Sequence, residues 1–198
     1  MKRLLTLALA LMMALSLLAL CASCTAETTD TPEENSPEAT PSAPVSSPEE
    51  QSKPAALPEG YTLYDNGDIS FAYPEAFTKT DGSNVILTDT TNNNNITVVY
   101  EAKTNAYEDL TTEKYNEVYI PVYAEMGLTV TNATVAHKEH NGIKLTTITQ
   151  TTKTESVSMD QTQYVLTVGE KTYTVTVTEV VKNAELVSTV LETLTVLK

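Results

Sequence analysis

The chain changes character twice along its length. Residues 4–20 are almost continuously apolar, residues 25–58 hold only Val45 and Leu57 as bulky apolar side chains, and from Glu59 onward apolar and polar positions alternate with definite periods. The clearest period of two lies in Thr172 to Thr178, where Tyr173, Val175 and Val177 alternate with four threonines. That spacing predicts a strand with one apolar and one hydroxyl-rich face. Its expected partner is Tyr164 to Val168, across a Gly169-Glu170 turn of type II′. Asn66-Gly67 and Asn141-Gly142 predict type I′ hairpin turns, because both central positions of that turn need positive φ. Further strands are expected at Tyr61 to Tyr64, Ile69 to Tyr73, Val85 to Thr88, Ile96 to Glu101, Leu128 to Lys138 and Ile143 to Lys153, all rich in β-branched residues.

A period near 3.6 appears in two places. Tyr115, Val118, Tyr119, Val122, Tyr123 and Met126 form one apolar stripe, with Thr111 placed to cap the helix and Gly127 to end it. Pro121 has no backbone donor and clashes with the turn before it, so a kink or a broken second half is expected. Leu186, Val187, Val190 and Leu191 predict a shorter helix over Ala184 to Leu191. The tyrosine stripe reads as packing against a sheet, with an aromatic-ligand face as the alternative. Together these elements predict an α+β domain, an antiparallel sheet covered by helices, over residues 59–198.

The segments before it have other roles. Lys2 and Arg3, the apolar run and the small residues Ala22 and Ser23 predict an export signal over residues 1–23, with an uncleaved anchoring helix as the alternative. Leu20-Cys21-Ala22-Ser23-Cys24 resembles the bacterial lipoprotein signal, in which the lipidated cysteine follows two small residues. That resemblance implies Cys24 as the lipid attachment and new N-terminus, on the extracytoplasmic face of a cell membrane, with Cys21 standing where the family usually has Leu. A diacylglyceryl group buries two chains at about 0.8 kcal/mol per methylene, enough for stable anchoring. Residues 24–58 hold seven of the nine prolines, at intervals of three to six, together with seven acids and one lysine. Such a segment builds no core and predicts a disordered tether, roughly 30 Å across as a coil and at most about 105 Å fully extended.

Charge narrows the function further. The chain has 26 acids against 12 Lys plus Arg, a net charge of -14, and Arg3 is its only arginine. Binding of nucleic acid through a basic patch is disfavoured, and after removal of the leader no guanidinium fork remains for phosphate. If Cys24 is acylated, no thiol remains for a disulfide, a thiolate metal site or a nucleophile.

Within the folded part, Asp65-Asn66-Gly67-Asp68-Ile69-Ser70-Phe71-Ala72-Tyr73-Pro74 resembles the opening hairpin of PsbP-like domains. The order of the later segments is similar too: Asn95-Ile96-Thr97-Val98, a helix from Thr111, Gly142-Ile143-Lys144-Leu145, the pair around Gln163-Tyr164 and Tyr173-Thr174-Val175, and a last helix. The resemblance covers about 140 residues, with Phe77 where the family often carries Trp. It implies an α/β/α sandwich, and it implies no reaction, because the family brings no catalytic constellation.

His137-Lys138-Glu139-His140 is the only imidazole pair. On an extended strand its histidines point to opposite faces, whereas a metal needs convergent ligands, so His137, Glu139 and His140 are candidates only through turn geometry. Asp65 to Asp68 lacks the ligand number of a calcium loop, and Asp89 to Asn95 reads as a solvated hairpin loop, with a cation or sugar held by its amides as the alternative. No nucleophile turn and no oriented histidine is evident, so no cofactor and no enzymatic activity is expected. The expected function is that of a membrane-tethered module binding a protein or an envelope component. The alternatives are a ligand- or metal-binding lipoprotein for transport or sensing and, last, an envelope hydrolase. Limited proteolysis should strip the proline-rich segment and leave a stable fragment beginning near residues 55–60, as read by mass spectrometry; rapid loss of the whole chain would contradict a packed domain.

Overall fold

Hairpin turns set the register of nearly every strand pair. The structure, a computed structural model, describes residues 57–197; the expected leader, Cys24 and almost all of the expected tether lie outside the described residues. Asn141 and Gly142 both take positive φ, 51° and 75°, as a type I′ turn requires, and join β6 (Thr129–His140) to β7 (Ile143–Lys153). Gly169 alone is positive in the turn between β8 (Ser158–Val168) and β9 (Lys171–Glu179), in keeping with type II′. The first hairpin departs from the expected type. In it, β1 (Tyr61–Asp65) pairs with β2 (Ile69–Pro74), and Asn66 N–H donates to Ile69 O, so the central pair is Gly67-Asp68 rather than Asn66-Gly67. Asn66 is then spared positive φ, and Gly67 takes it at 81°.

The remaining strands are β3 (Thr78–Thr80), β4 (Val85–Thr88), β5 (Asn95–Ala102) and β10 (Thr195–Val196). Seven form one antiparallel sheet in the order β3-β4-β5-β9-β8-β7-β6, and β1-β2-β10 form a separate antiparallel sheet. The Thr172 to Thr178 alternation places β9 at the centre of the large sheet. Tyr173, Val175 and Val177 turn to one face beside Leu166 and Tyr164, and Thr174, Thr176 and Thr178 turn to the other beside Val165, Gln163 and Gln161. Both sets are buried.

The apolar face packs against the small sheet and α3 (Ala184–Thr193). Tyr64, Ile69 and Phe71 of the hairpin and Leu186, Val190 and Leu194 of the last segment join Ile96, Leu166 and Val175 in one core. Asn183 caps this helix by accepting the Leu186 N–H at 3.1 Å. The hydroxyl-rich face packs against two short helices, α1 (Thr112–Val118) and α2 (Ile120–Glu125). The expected single helix is broken at Tyr119, and Pro121 falls in the first turn of α2, where a missing N–H leaves no bond unmade. Thr111 caps α1 by accepting from Lys114 N–H, and Tyr115, Tyr119 and Tyr123 stay on the side that faces the sheet.

The architecture is therefore α+β and rich in sheet. Where a sandwich with helices on both faces was expected, one flank is shared between α3 and a second sheet. The physical reason lies in the opening hairpin, whose buried Tyr64, Ile69 and Phe71 need cover from the large sheet and so lie across it instead of extending its edge. On the opposite side, β6 forms the edge of the large sheet. Asn132, at φ 54°, marks a bulge between Thr131 and Thr134, and Thr112 Oγ1 accepts the Val135 N–H at 2.9 Å. Among the described residues no helix is long and apolar enough to cross a membrane.

Phe71 is fully buried and stacks on Tyr64 with ring centroids 4.8 Å apart. Phe71→Ala should lower unfolding stability by about 3–5 kcal/mol in urea titration. A loss below about 1 kcal/mol would mean that the small sheet is not part of the same cooperative unit.

Candidate functional site

A wide cleft opens where the described chain begins. Leu57 lines it; Leu63, Asp65, Ser70, Thr195 and Leu197 line it from the small sheet and the end of the chain, and His137 to Glu139 and Asn141 to Thr146, without His140, line it from the β6–β7 hairpin. The loop carrying Lys103, Thr104, Tyr107, Glu108 and Asp109 also lines it. This loop is fastened by its backbone: Lys103 N–H donates to Glu170 O at 2.9 Å and Thr104 N–H to Thr172 Oγ1 at 3.0 Å. Leu57, Leu63 and Leu197 are 45%, 43% and 40% exposed, so three of the large apolar side chains left in solvent share one depression. Lys103, Lys138 and Lys144 also line it, and none of them has a carboxylate within ion-pair distance among the described residues.

Of the metal candidates, His137 and Glu139 lie on the hairpin wall and His140 does not. His137 shares a face with Thr146, whereas His140 stands opposite Ile143 beside the turn, on the other face of the strand. His137 Nε2 donates to Leu110 O at 2.8 Å, so that nitrogen has no lone pair to offer a metal, and Nδ1 lies 3.1 Å from Thr146 Oγ1. His140 Nε2 accepts from Asn141 Nδ2 at 3.1 Å. Glu139 lies between the two, exposed. Among the described residues no group of three His, Cys, Asp or Glu side chains is arranged to hold a metal ion.

The two oxygen-rich loops spend their polar atoms on themselves. Burial works against charge on Asp89, but the Asn92 amide and the N–H groups of Asn92 and Thr91 outweigh it and hold the carboxyl below its usual range. Asn94, fully enclosed, accepts from Val180 and Val181 N–H and donates to Val181 O, which ties this loop to the approach of α3. In the first hairpin Asp68 is 5% exposed and receives Lys171 Nζ and Tyr173 Oη, each at 2.6 Å. Its carboxylate raises the Lys171 ammonium above the usual lysine range, and Lys171 sits 5.0 Å over the Tyr100 ring. This clasp joins the small sheet to β9. In the sequence only its position after the Asn66-Gly67 turn marks Asp68, and nothing there points to Lys171 or Tyr173.

Beneath α1 and α2 lies a buried polar layer, next to which Asn116 Oδ1 has no partner among the described residues. Tyr115 Oη donates to Gln150 Oε1 at 2.6 Å, Gln150 Nε2 donates to Gln161 Oε1 at 2.9 Å, and Gln161 Nε2 donates to Thr178 Oγ1 at 3.3 Å. Thr152 also donates to Gln161 Oε1. Burial pushes the hydroxyls of Tyr107, Tyr115 and Tyr123 above the ordinary tyrosine range, and it raises the Glu101 carboxyl at the margin of the layer. The tyrosine stripe thus packs on the sheet and is enclosed.

No protein-family model matches the chain, and no curated protein matches it. In fold it is similar to the solution structure of cyanobacterial PsbP (CyanoP) from Synechocystis, with a TM-score of 0.57 at 15% identity, covering 74% of this chain and 98% of the other. A protein of Bacteroides thetaiotaomicron gives a TM-score of 0.45 at 10% identity, with 68% of this chain and 47% of that one covered. The protein of unknown function PA94 from Pseudomonas aeruginosa, described as a putative regulator, gives 0.35 at 14%, covering 65% and 87%. The first similarity shows a PsbP-like fold.

The buried tyrosines set a pH limit. Tyr107, Tyr115, Tyr123 and Tyr164 are all raised above the ordinary value by burial. In the unfolded chain they ionise near pH 10. Their stabilising contribution is complete below that pH and is lost as pH rises above it, because only the unfolded chain releases the protons. Tyrosinate absorbance should therefore rise together with the loss of circular dichroism above about pH 10. Smooth ionisation of all ten tyrosines in a still-folded protein would contradict their burial.

Proposed function

We propose that the protein is a lipid-anchored module of the bacterial cell envelope, held on the extracytoplasmic face through Cys24. In this reading it binds a protein or envelope component in the cleft and performs no chemistry of its own. The observation that carries it is the location of the cleft. Leu57, the first described residue, lines the same depression as exposed Leu63 and Leu197 and the unpaired Lys103, Lys138 and Lys144. In this reading residues 24–58 serve as the tether and join the domain beside this surface. Apolar side chains ringed by polar ones form the pattern of a recognition surface. The PsbP-like resemblance of the first hairpin supports the same reading at the level of fold, and the lipoprotein character rests on the residues around Cys24.

Two measurements test the proposal. Cys24→Ala should move the protein from the membrane fraction to the soluble fraction; continued membrane association would assign the anchor to the apolar leader or to Cys21. A photo-crosslinking residue placed at Leu63 should give discrete adducts in intact cells, whereas one at Val157, exposed in the β7–β8 turn at the opposite end of the sheet, should not. Equal labelling from both positions would remove the cleft from the proposal.

A further inference from the structure

The first hairpin, whose Asp65 lines the cleft and whose Asp68 forms the clasp, holds a further arrangement around Asn66 that neither role requires. Asn66 and Gly67 are both exposed. Gly67 N–H donates to Asp65 Oδ1 at 2.7 Å, which puts a carboxylate base on the backbone nitrogen that comes after the asparagine. Asn66 Oδ1 accepts from two backbone groups, Asp68 N–H at 3.1 Å and Ile69 N–H at 3.0 Å. A nucleophile with a base, and a carbonyl oxygen held by two N–H donors, are the parts an acyl-transfer site uses. Gly67 has no side chain to obstruct the nitrogen.

We infer that Asn66 is a site of self-catalysed modification, at which the chain converts this asparagine to an aspartyl or isoaspartyl residue. The Gly67 nitrogen gives its proton to Asp65 and bonds to Cγ of Asn66. The charge that develops on Oδ1 is held by the Asp68 and Ile69 N–H groups. The bond from Cγ to Nδ2 then breaks, and ammonia leaves with the returned proton. The resulting five-membered imide is opened by one water at either of its carbonyls, which gives the aspartyl or the isoaspartyl product. No electrons change hands, and water is the only co-reactant.

The second Asn-Gly pair of the chain is an internal control. Asn141 has the same neighbour, but among the described residues no N–H donates to its Oδ1 and no carboxylate receives the Gly142 N–H. Its Nδ2 instead donates to His140 Nε2 and, at 3.4 Å, to Glu192 O. The consequences differ as well. An isoaspartyl residue inserts an extra backbone atom into the turn that orients Asp68, whose carboxylate Lys171 and Tyr173 hold.

The test uses the full chain, aged in mildly alkaline buffer and mapped by peptide mass spectrometry with isoaspartate detection. In the folded protein Asn66 should convert at least about tenfold faster than Asn141, a modest share of what a positioned base and oxyanion donors contribute in enzymes. In concentrated urea the two rates should approach each other, because the arrangement exists only in the fold. Asp65→Asn keeps a side-chain acceptor but removes the base; it should slow Asn66 and leave Asn141 unchanged. Equal rates at the two sites in the folded protein would overturn the inference, and so would an Asn66 rate that Asp65→Asn leaves unchanged.

Discussion

A sheet buried on both faces must find partners for most of the polar atoms it carries, and this constraint governs the rest of the molecule; the Thr147 hydroxyl of β7 is an exception, buried with no partner among the described residues. The central strands β8 and β9 place mainly tyrosine, valine and leucine on one side, and mainly threonine and glutamine, with Val165, on the other. Apolar side chains accept any well-packed cover. Hydroxyls and amides accept only cover that returns their hydrogen bonds, because a buried polar group left without a partner costs about 1–3 kcal/mol. Tyrosine meets both demands, with a large apolar ring and a hydroxyl at its tip. That is why the helices over the polar face present Tyr115, Tyr119 and Tyr123, while the cover on the apolar face presents Phe71, Leu186 and Val190.

The same constraint explains which parts of the fold could be read in the sequence. The alternation of Thr172 to Thr178, the positive-φ pair Asn141-Gly142 and the break near Pro121 are local, and each was legible from neighbouring residues. The polar half of β8 was not. Asp160, Gln161, Thr162 and Gln163 show no apolar alternation, and they form a strand because Gln150, Thr152 and Thr178 wait across the sheet to bond with them. β3 and β10, at three and two residues, are too short for any period to register. The separation of the hairpin into a second sheet depends on packing between segments more than a hundred residues apart, of which the bond from Lys171 to Asp68 is one example.

The cleft was still less legible, for a related reason. It is assembled from the start of the described chain, the loop after β5, the β6–β7 hairpin and the last strand, and no two of its exposed leucines share an element. His137 and Glu139 do line it, but the structure uses the His137 imidazole to hold the loop at Leu110. A motif search weighs residues by the chemistry they could perform; here the nearest chemistry is structural. The similarity to cyanobacterial PsbP extends over nearly the whole of that protein at 15% identity, a level at which backbone architecture is shared and side-chain recognition is free to differ.

The exposed edge of the large sheet bears on how copies of the protein meet. A free strand of twelve residues is a template for pairing with another chain. The bulge at Asn132 bends that template, and the Thr112 hydroxyl occupies the Val135 N–H that an incoming strand would need. An incoming strand therefore meets a bent edge on which one N–H is already taken. One asparagine in a left-handed conformation beside one threonine at the start of a helix thus works against edge-to-edge pairing along β6.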